Sequence, residues 1–129
     1  KLEPYEKLMK GIKNGIVWAV KDALEEGADV HSDTDAPLRV AAEFDNTEIV
    51  KILLDAGANI HSCNEHPLKG ACIMGRLDNI KLLLDRGANA NVVLPNLDFY
   101  TGEFSDEVNN LLKQYTTKGK IKKFFNFSR

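Results

Sequence analysis

The sequence predicts an all-α solenoid, a stack of helix-turn-helix units. Three observations predict it. The segment Gly57-Ala58-Asn59-Ile60-His61 repeats Gly27-Ala28-Asp29-Val30-His31 almost letter for letter, and Gly87-Ala88-Asn89-Ala90-Asn91 does so again. The glycines of the three copies are thirty residues apart, and a fixed period in that range marks stacked repeats. Between the copies, apolar residues recur at helical spacing behind Pro-Leu pairs suited to a first helical turn.

Residues 7–31 read as a degenerate first unit. Leu8 takes the place of Leu38, and Gly11-Ile12 that of Ala41-Ala42. Trp18 falls where the second unit has Glu48; packing against Leu2, Pro4 and Tyr5 is expected to close the open end of the stack, since terminal repeats differ from internal ones. The regular units, 32–61 and 62–91, share one grammar. Each begins with a polar stretch, Ser32-Asp33-Thr34-Asp35 or Ser62-Cys63-Asn64-Glu65, followed by Pro37-Leu38 or Pro67-Leu68. The small pairs Ala41-Ala42 and Ala71-Cys72 let helices approach closely, and Asp45-Asn46 and Gly75-Arg76 mark the mid-unit break.

The second helix of each unit carries Ile49, Ile52 and Leu53, or Ile80, Leu83 and Leu84, with Glu48 or Asp78 complementing the helix dipole in its first turn. Gly57 and Gly87 stop these helices, because glycine takes the left-handed C′ conformation freely. Residues 92–116 read as a degenerate last unit, with Leu94-Pro95 in place of the Pro-Leu step and Glu107 to Leu112 as its second helix. Residues 1–116 thus form one repeat domain, and 117–129 a basic, aromatic cap or tail.

A chain of 129 residues, 43% of them hydrophobic, suffices for one modest core. A net charge of −2 excludes a protein that is basic as a whole, but the charge is unevenly spread. The second unit carries Asp33, Asp35, Glu43, Asp45, Glu48 and Asp55 against Arg39 and Lys51. From Lys113 onward the chain carries Lys118, Lys120, Lys122, Lys123 and Arg129 and no acidic side chain. Two cysteines, Cys63 and Cys72, make no disulfide framework, so reduced thiols and an intracellular, cytoplasmic or nuclear setting are expected. No apolar run approaches a membrane span.

The chain resembles the ankyrin-repeat family. The resemblance rests on Ala36-Pro37-Leu38-Arg39-Val40-Ala41-Ala42, on Glu48 through Ile60, and on their third-unit copies. It covers about 7–116, closely over 27–91. Family units are about 33 residues long; the residues missing here fall between His31 and Pro37 and between His61 and Pro67. The family's Thr before Pro is replaced by Ala36 and His66, and its His after Leu by Arg39 and Lys69. Those family side chains hold the β-hairpin finger, so here the finger is expected to be clipped to a tight turn. Short-finger repeats of this kind resemble those of giant DNA viruses, which implies a viral protein acting on a host factor.

The resemblance implies non-catalytic binding of another protein through the concave face, built from fingers and inner helices. Carried over by position, the finger residues are Asp33, Thr34, Asp35, Asn64, Glu65 and His66, with Arg39 and Lys69 close to the same face. Just before the mid-unit breaks stand Glu43-Phe44 and Ile73-Met74. Phe44, Ile73 and Met74 are apolar where polar residues are expected, and such grouping suggests an interaction patch. A monomer without cofactor or small-molecule substrate is expected. The resemblance also marks Asn91 as a position open to asparaginyl hydroxylation, against a plain turn-capping role.

His61, Cys63, His66 and Cys72 crowd together and are all zinc-ligating types. The register argues against a metal site: Cys72 aligns with Ala42, a packing position, and His61 with His31 and Asn91, which have no cysteine neighbours. No strand-turn-helix elbow or Gly-rich phosphate loop accompanies them, so no catalysis is expected. The segment 118–129 mixes lysines with phenylalanines, a composition that binds anionic membrane or nucleic acid. Ile121, Phe124 and Phe125 are also spaced as one helical stripe, which would cap the last repeat.

Overall fold

The computed structural model describes residues 2–96 and 105–116. Three helical hairpins follow one another: α1 (Pro4–Asn14) with α2 (Val17–Glu25), α3 (Ser32–Ala41) with α4 (Thr47–Asp55), and α5 (Ser62–Ile73) with α6 (Leu77–Asp85). Then come α7 (Ala90–Val93), a 3₁₀ turn (Leu94–Asn96) and α8 (Ser105–Lys113). Helices α1, α3, α5 and α7 lie side by side as the inner layer, while α2, α4, α6 and α8 form the outer one. No strand occurs among the described residues. The chain is an all-α solenoid.

The recurring Gly-Ala-Asp/Asn segment now has a physical reading. Gly27, Gly57 and Gly87 take φ values of 102°, 99° and 105°, which side-chain-bearing residues rarely adopt. The alanine amides then reach back to Ala23, Leu53 and Leu83 carbonyls at 2.9–3.1 Å, closing each outer helix. The third residue makes an Asx turn: the side-chain oxygens of Asp29, Asn59 and Asn89 accept from the backbone N–H two residues on, at 2.8–3.0 Å.

One core runs through the stack, from Leu8, Ile12 and Val20 through Leu38, Ile49 and Leu53 to Leu68, Ile80 and Leu83, ending on Val93, Val108 and Leu112. Cys72 belongs to it, as its alignment with Ala42 requires, and burial pushes its thiol up to about 12. Cys63 is exposed. A disulfide-exchange reagent such as Ellman's at pH 8 is therefore expected to titrate one thiol rapidly in the native protein and the second only on unfolding. Two equally fast thiols would mean that Cys72 is not in the core.

Two expectations need correction. Trp18 does not pack on Pro4 and Tyr5; it is 69% exposed. Its register with Glu48 faces it to solvent. Beside it, Lys7 bonds to Asp22 and Glu26 and holds its ammonium 6.0 Å from the Trp18 ring centre. Hydrogen bonding to the two carboxylates, Asp22 first, raises the Lys7 pKa; the bond from Lys7 lowers that of Asp22. Leu2 does join Trp18, lining an open cavity of about 340 Å³ with Lys7, Lys10 and Ile16. The second correction concerns the fingers, described below. The tail residues Ile121, Phe124 and Phe125, and with them the capping or surface-binding role of 118–129, lie outside the described residues.

Candidate functional site: the inner face

With the finger clipped, the first residues of α3 and α5 must reverse the chain before the right-handed part of each helix begins. They do so through three successive left-handed residues. Asp33, Thr34 and Asp35 have φ of 52°, 58° and 59°, and Cys63, Asn64 and Glu65 have 52°, 56° and 64°. Left-handed backbone costs about 1–2 kcal/mol for each L-residue, more for a β-branched one such as Thr34. The surrounding contacts offset this. Arg39 donates from Nε to the Thr34 carbonyl at 2.9 Å and from Nη2 to the Asp33 carbonyl at 2.6 Å, and Ser62 Oγ donates to the Thr34 carbonyl at 2.7 Å. Tyr5 donates its hydroxyl to Asp33 at 3.1 Å; burial, then the Asp33 carboxylate, raises its pKa.

The same reversal turns two predicted finger residues inward. Asp35 and Glu65 are 7% and 5% exposed. Asp35 Oδ2 accepts the Asn59 N–H at 2.6 Å, and Glu65 Oε1 accepts the Asn89 N–H at 2.8 Å, each stitching one turn to the next. His31 and His61 bond to the same carboxylates through Nδ1, at 3.0 and 2.5 Å. These two acids are structural ties and not part of an exposed finger. Arg39 is likewise half-buried and bonded to the turn it follows. Asp33, Thr34 and Asn64 remain exposed at the turns.

The mid-unit ends of the inner helices present the apolar residues. Phe44, Ile73 and Met74 are 38%, 53% and 44% exposed. Phe44 and Met74 hold equivalent positions in neighbouring hairpins. Beside them an open groove of about 310 Å³ is lined by Glu43, His66, Lys69, Gly70, Ile73 and Met74. A Cβ on Gly70 would stand 3.1 Å from Cγ of Glu43, so the glycine leaves room for the Glu43 side chain where it lines the groove. His66, aligned with Ala36, is half-buried in the groove wall.

Sequence reasoning missed what holds this surface. Asn79 is 1% exposed. Its Nδ2 donates to the carbonyls of Ala42 at 2.9 Å and Phe44 at 2.7 Å, and its Oδ1 accepts from the Thr47 hydroxyl at 2.7 Å. Arg76 Nε donates to the Glu43 carbonyl at 2.9 Å. Two side chains of the third hairpin thus satisfy the carbonyls at the end of α3 and in the turn after it that carries Glu43 and Phe44. The signal was present: Asn79 aligns with the buried Ile49, so a polar side chain there requires partners.

The His/Cys cluster does not assemble into a ligand set. His61 turns to Glu65, Cys72 is in the core, and Cys63 is exposed on the left-handed turn. No group of His, Cys, Asp and Glu suited to a metal ion occurs among the described residues. No helix among them is long and apolar enough to cross a membrane. Asn91 is exposed, and its own N–H closes the Asn89 turn.

Comparison with curated proteins finds no match. A family model for ankyrin repeats matches residues 8–93 as three copies, from within α1 to the end of α7. The period, the glycine-ended outer helices and this match agree: the chain belongs to the ankyrin-repeat family.

Proposed function

We propose that the protein is a non-catalytic binding module that engages another protein through its inner face, with Phe44, Ile73 and Met74 as apolar anchors. Ankyrin repeats are generally protein–protein interaction modules. The observation that carries the specific reading is the exposure of three large apolar side chains on adjoining helix ends beside an open groove. Monomer surfaces do expose single apolar residues, but a grouped set marks an interaction site, and Phe and Met suit interface centres. Glu43, His66 and Lys69 frame the groove, while Asp33, Thr34 and Asn64 form a polar rim toward the turns. The acidic second unit biases encounter toward a basic partner surface. The clipped turns shift recognition from fingers to inner helices, the arrangement in which a viral repeat protein would meet a host factor.

The test is a Phe44→Ala/Met74→Ala double variant. It is expected to weaken binding to a partner captured from the native host lysate by at least tenfold, about 1.4 kcal/mol. Its helical melting should stay close to wild type, because neither residue belongs to the buried core. A marked drop in melting temperature would make them core residues and end the proposal.

A further inference from the structure

We propose that Gly70 makes the Ile73–Met74 groove a socket for one bulky apolar side chain of a partner protein, and that a lysine or arginine close to it in the partner meets Asp45. This rests on the groove being a binding surface, as proposed above, and names the chemistry it takes.

The first observation is a glycine that the backbone does not require. Unlike Gly27, Gly57 and Gly87, Gly70 lies inside a helix, α5, without a positive φ. A glycine there weakens the helix, because it loses the most freedom on folding. No neighbouring backbone crowds it either. The atoms nearest to an added Cβ belong to the Glu43 side chain, Cγ at 3.1 Å and Oε2 at 3.4 Å. The second unit carries Val40 at this place, and the hairpin before it has Lys13 where Glu43 stands. The stack therefore accommodates a branched side chain at this position. What the glycine supplies is open space, the groove of about 310 Å³.

The second is what fills that space. Ile73 and Met74 are the exposed apolar part of the lining, and His66 adds a ring. Glu43 and Lys69 bring opposite charges, so the groove itself selects neither sign. Covering such a lining takes a large apolar side chain, Leu, Met or Phe. The volume is at the lower end of binding pockets, about 300–1,000 Å³, and holds one such group.

The third is charge. Gly75, the residue after Met74, lines a second cleft of about 230 Å³ with Asp45, Arg76 and Asp78. Two carboxylates face one guanidinium there. The Asp45 side chain is 90% exposed and 3.9 Å from Arg76, a contact too long and exposed to neutralise it. A cation complements this cleft. The stem of a lysine or arginine can lie over apolar surface such as Met74 while its charged end reaches Asp45.

Selection from a phage library of random dodecapeptides, with the full chain as bait, tests this. The selected peptides are expected to share one Leu, Met or Phe with a Lys or Arg within about four residues. They should shift the Met74 ε-methyl and Ile73 δ1-methyl resonances, and bind Gly70→Val at least tenfold more weakly than wild type. Asp45→Lys should weaken them at least threefold, an effect that screening by 0.5 M salt removes. Should Gly70→Val unfold early, Gly70→Ala decides. It adds only a Cβ and relieves the helix of its glycine, so binding should fall at least threefold at an unchanged or higher melting temperature. Equal affinity for wild type and the Gly70 variants overturns the proposal. So do peptides that lack either element, peptides that shift other parts of the stack, and a library that yields no binder. If Phe44→Ala/Met74→Ala abolishes partner binding while Gly70→Val spares it, the socket fails alone. If Gly70→Val abolishes it while the double variant spares it, the anchor reading fails alone.

Discussion

Replacing Asn79 by alanine is expected to lower the unfolding free energy by about 3–4 kcal/mol, the largest loss of any single polar substitution in the stack. The side chain makes three hydrogen bonds, to Ala42, Phe44 and Thr47, at 2.7–2.9 Å. Alanine leaves the Ala42 and Phe44 carbonyls at a helix end without their donor and the Thr47 hydroxyl without its acceptor. Each costs about 1 kcal/mol or more where water cannot enter, and the vacated space adds to it. Urea unfolding followed by helical signal measures the change, with an unchanged slope showing that the folded state is otherwise the same. Asn79→Ile is the informative companion. It restores the register of Ile49 and recovers packing, but leaves both carbonyls unpaired, so it should fall between alanine and wild type. A loss below about 1 kcal/mol for alanine would show that the relay contributes little.

Removing the Glu65 carboxylate comes next. Glu65→Ala should cost about 2–3 kcal/mol, because it strands the Asn89 N–H and leaves the His61 ring without its carboxylate partner at a left-handed turn. Glu65→Gln keeps an acceptor for Asn89 and should lose less than half as much. The comparison isolates the hydrogen bond from the charge. If glutamine proved as damaging as alanine, the negative charge would matter more than the stitch between turns.

The period alone placed the helices, because glycine spacing and apolar periodicity both follow from one repeating unit that must bury one face. The exposure of Phe44, Ile73 and Met74 was legible for the same reason: they are apolar letters at positions the register assigns to solvent. Asp35 and Glu65 were not legible as ties. A polar residue in a shortened finger reads as exposed unless the backbone is known to pass through three left-handed residues, and that conformation depends on acceptors and donors supplied by the neighbouring turn. Trp18 was misread because a terminal repeat was expected to differ from the internal ones, although its register with Glu48 already faced it outward. Asn79 was readable in principle, as the one polar letter in an apolar register. What it bonds to was not, since its partners come from residues far away in sequence.

The polar ties are unevenly distributed along the stack. The first hairpin meets the second through Asn46 to the Gly15 carbonyl at 3.4 Å and through Tyr5 to Asp33. The second meets the third through Arg76, Asn79, Thr47 and Ser62, with Arg86 bonded to Asp55 at 2.9 Å as well. In a one-dimensional array whose units touch only their neighbours, the weaker joint opens first. Amide hydrogen exchange should therefore be faster in α1 and α2 than across α3 to α6, with the first hairpin fraying on its own. Phe44 and Met74 sit on either side of the stronger joint. Their relative placement should persist through such partial opening, and a partner seated on them as proposed would clamp the firmer of these two joints.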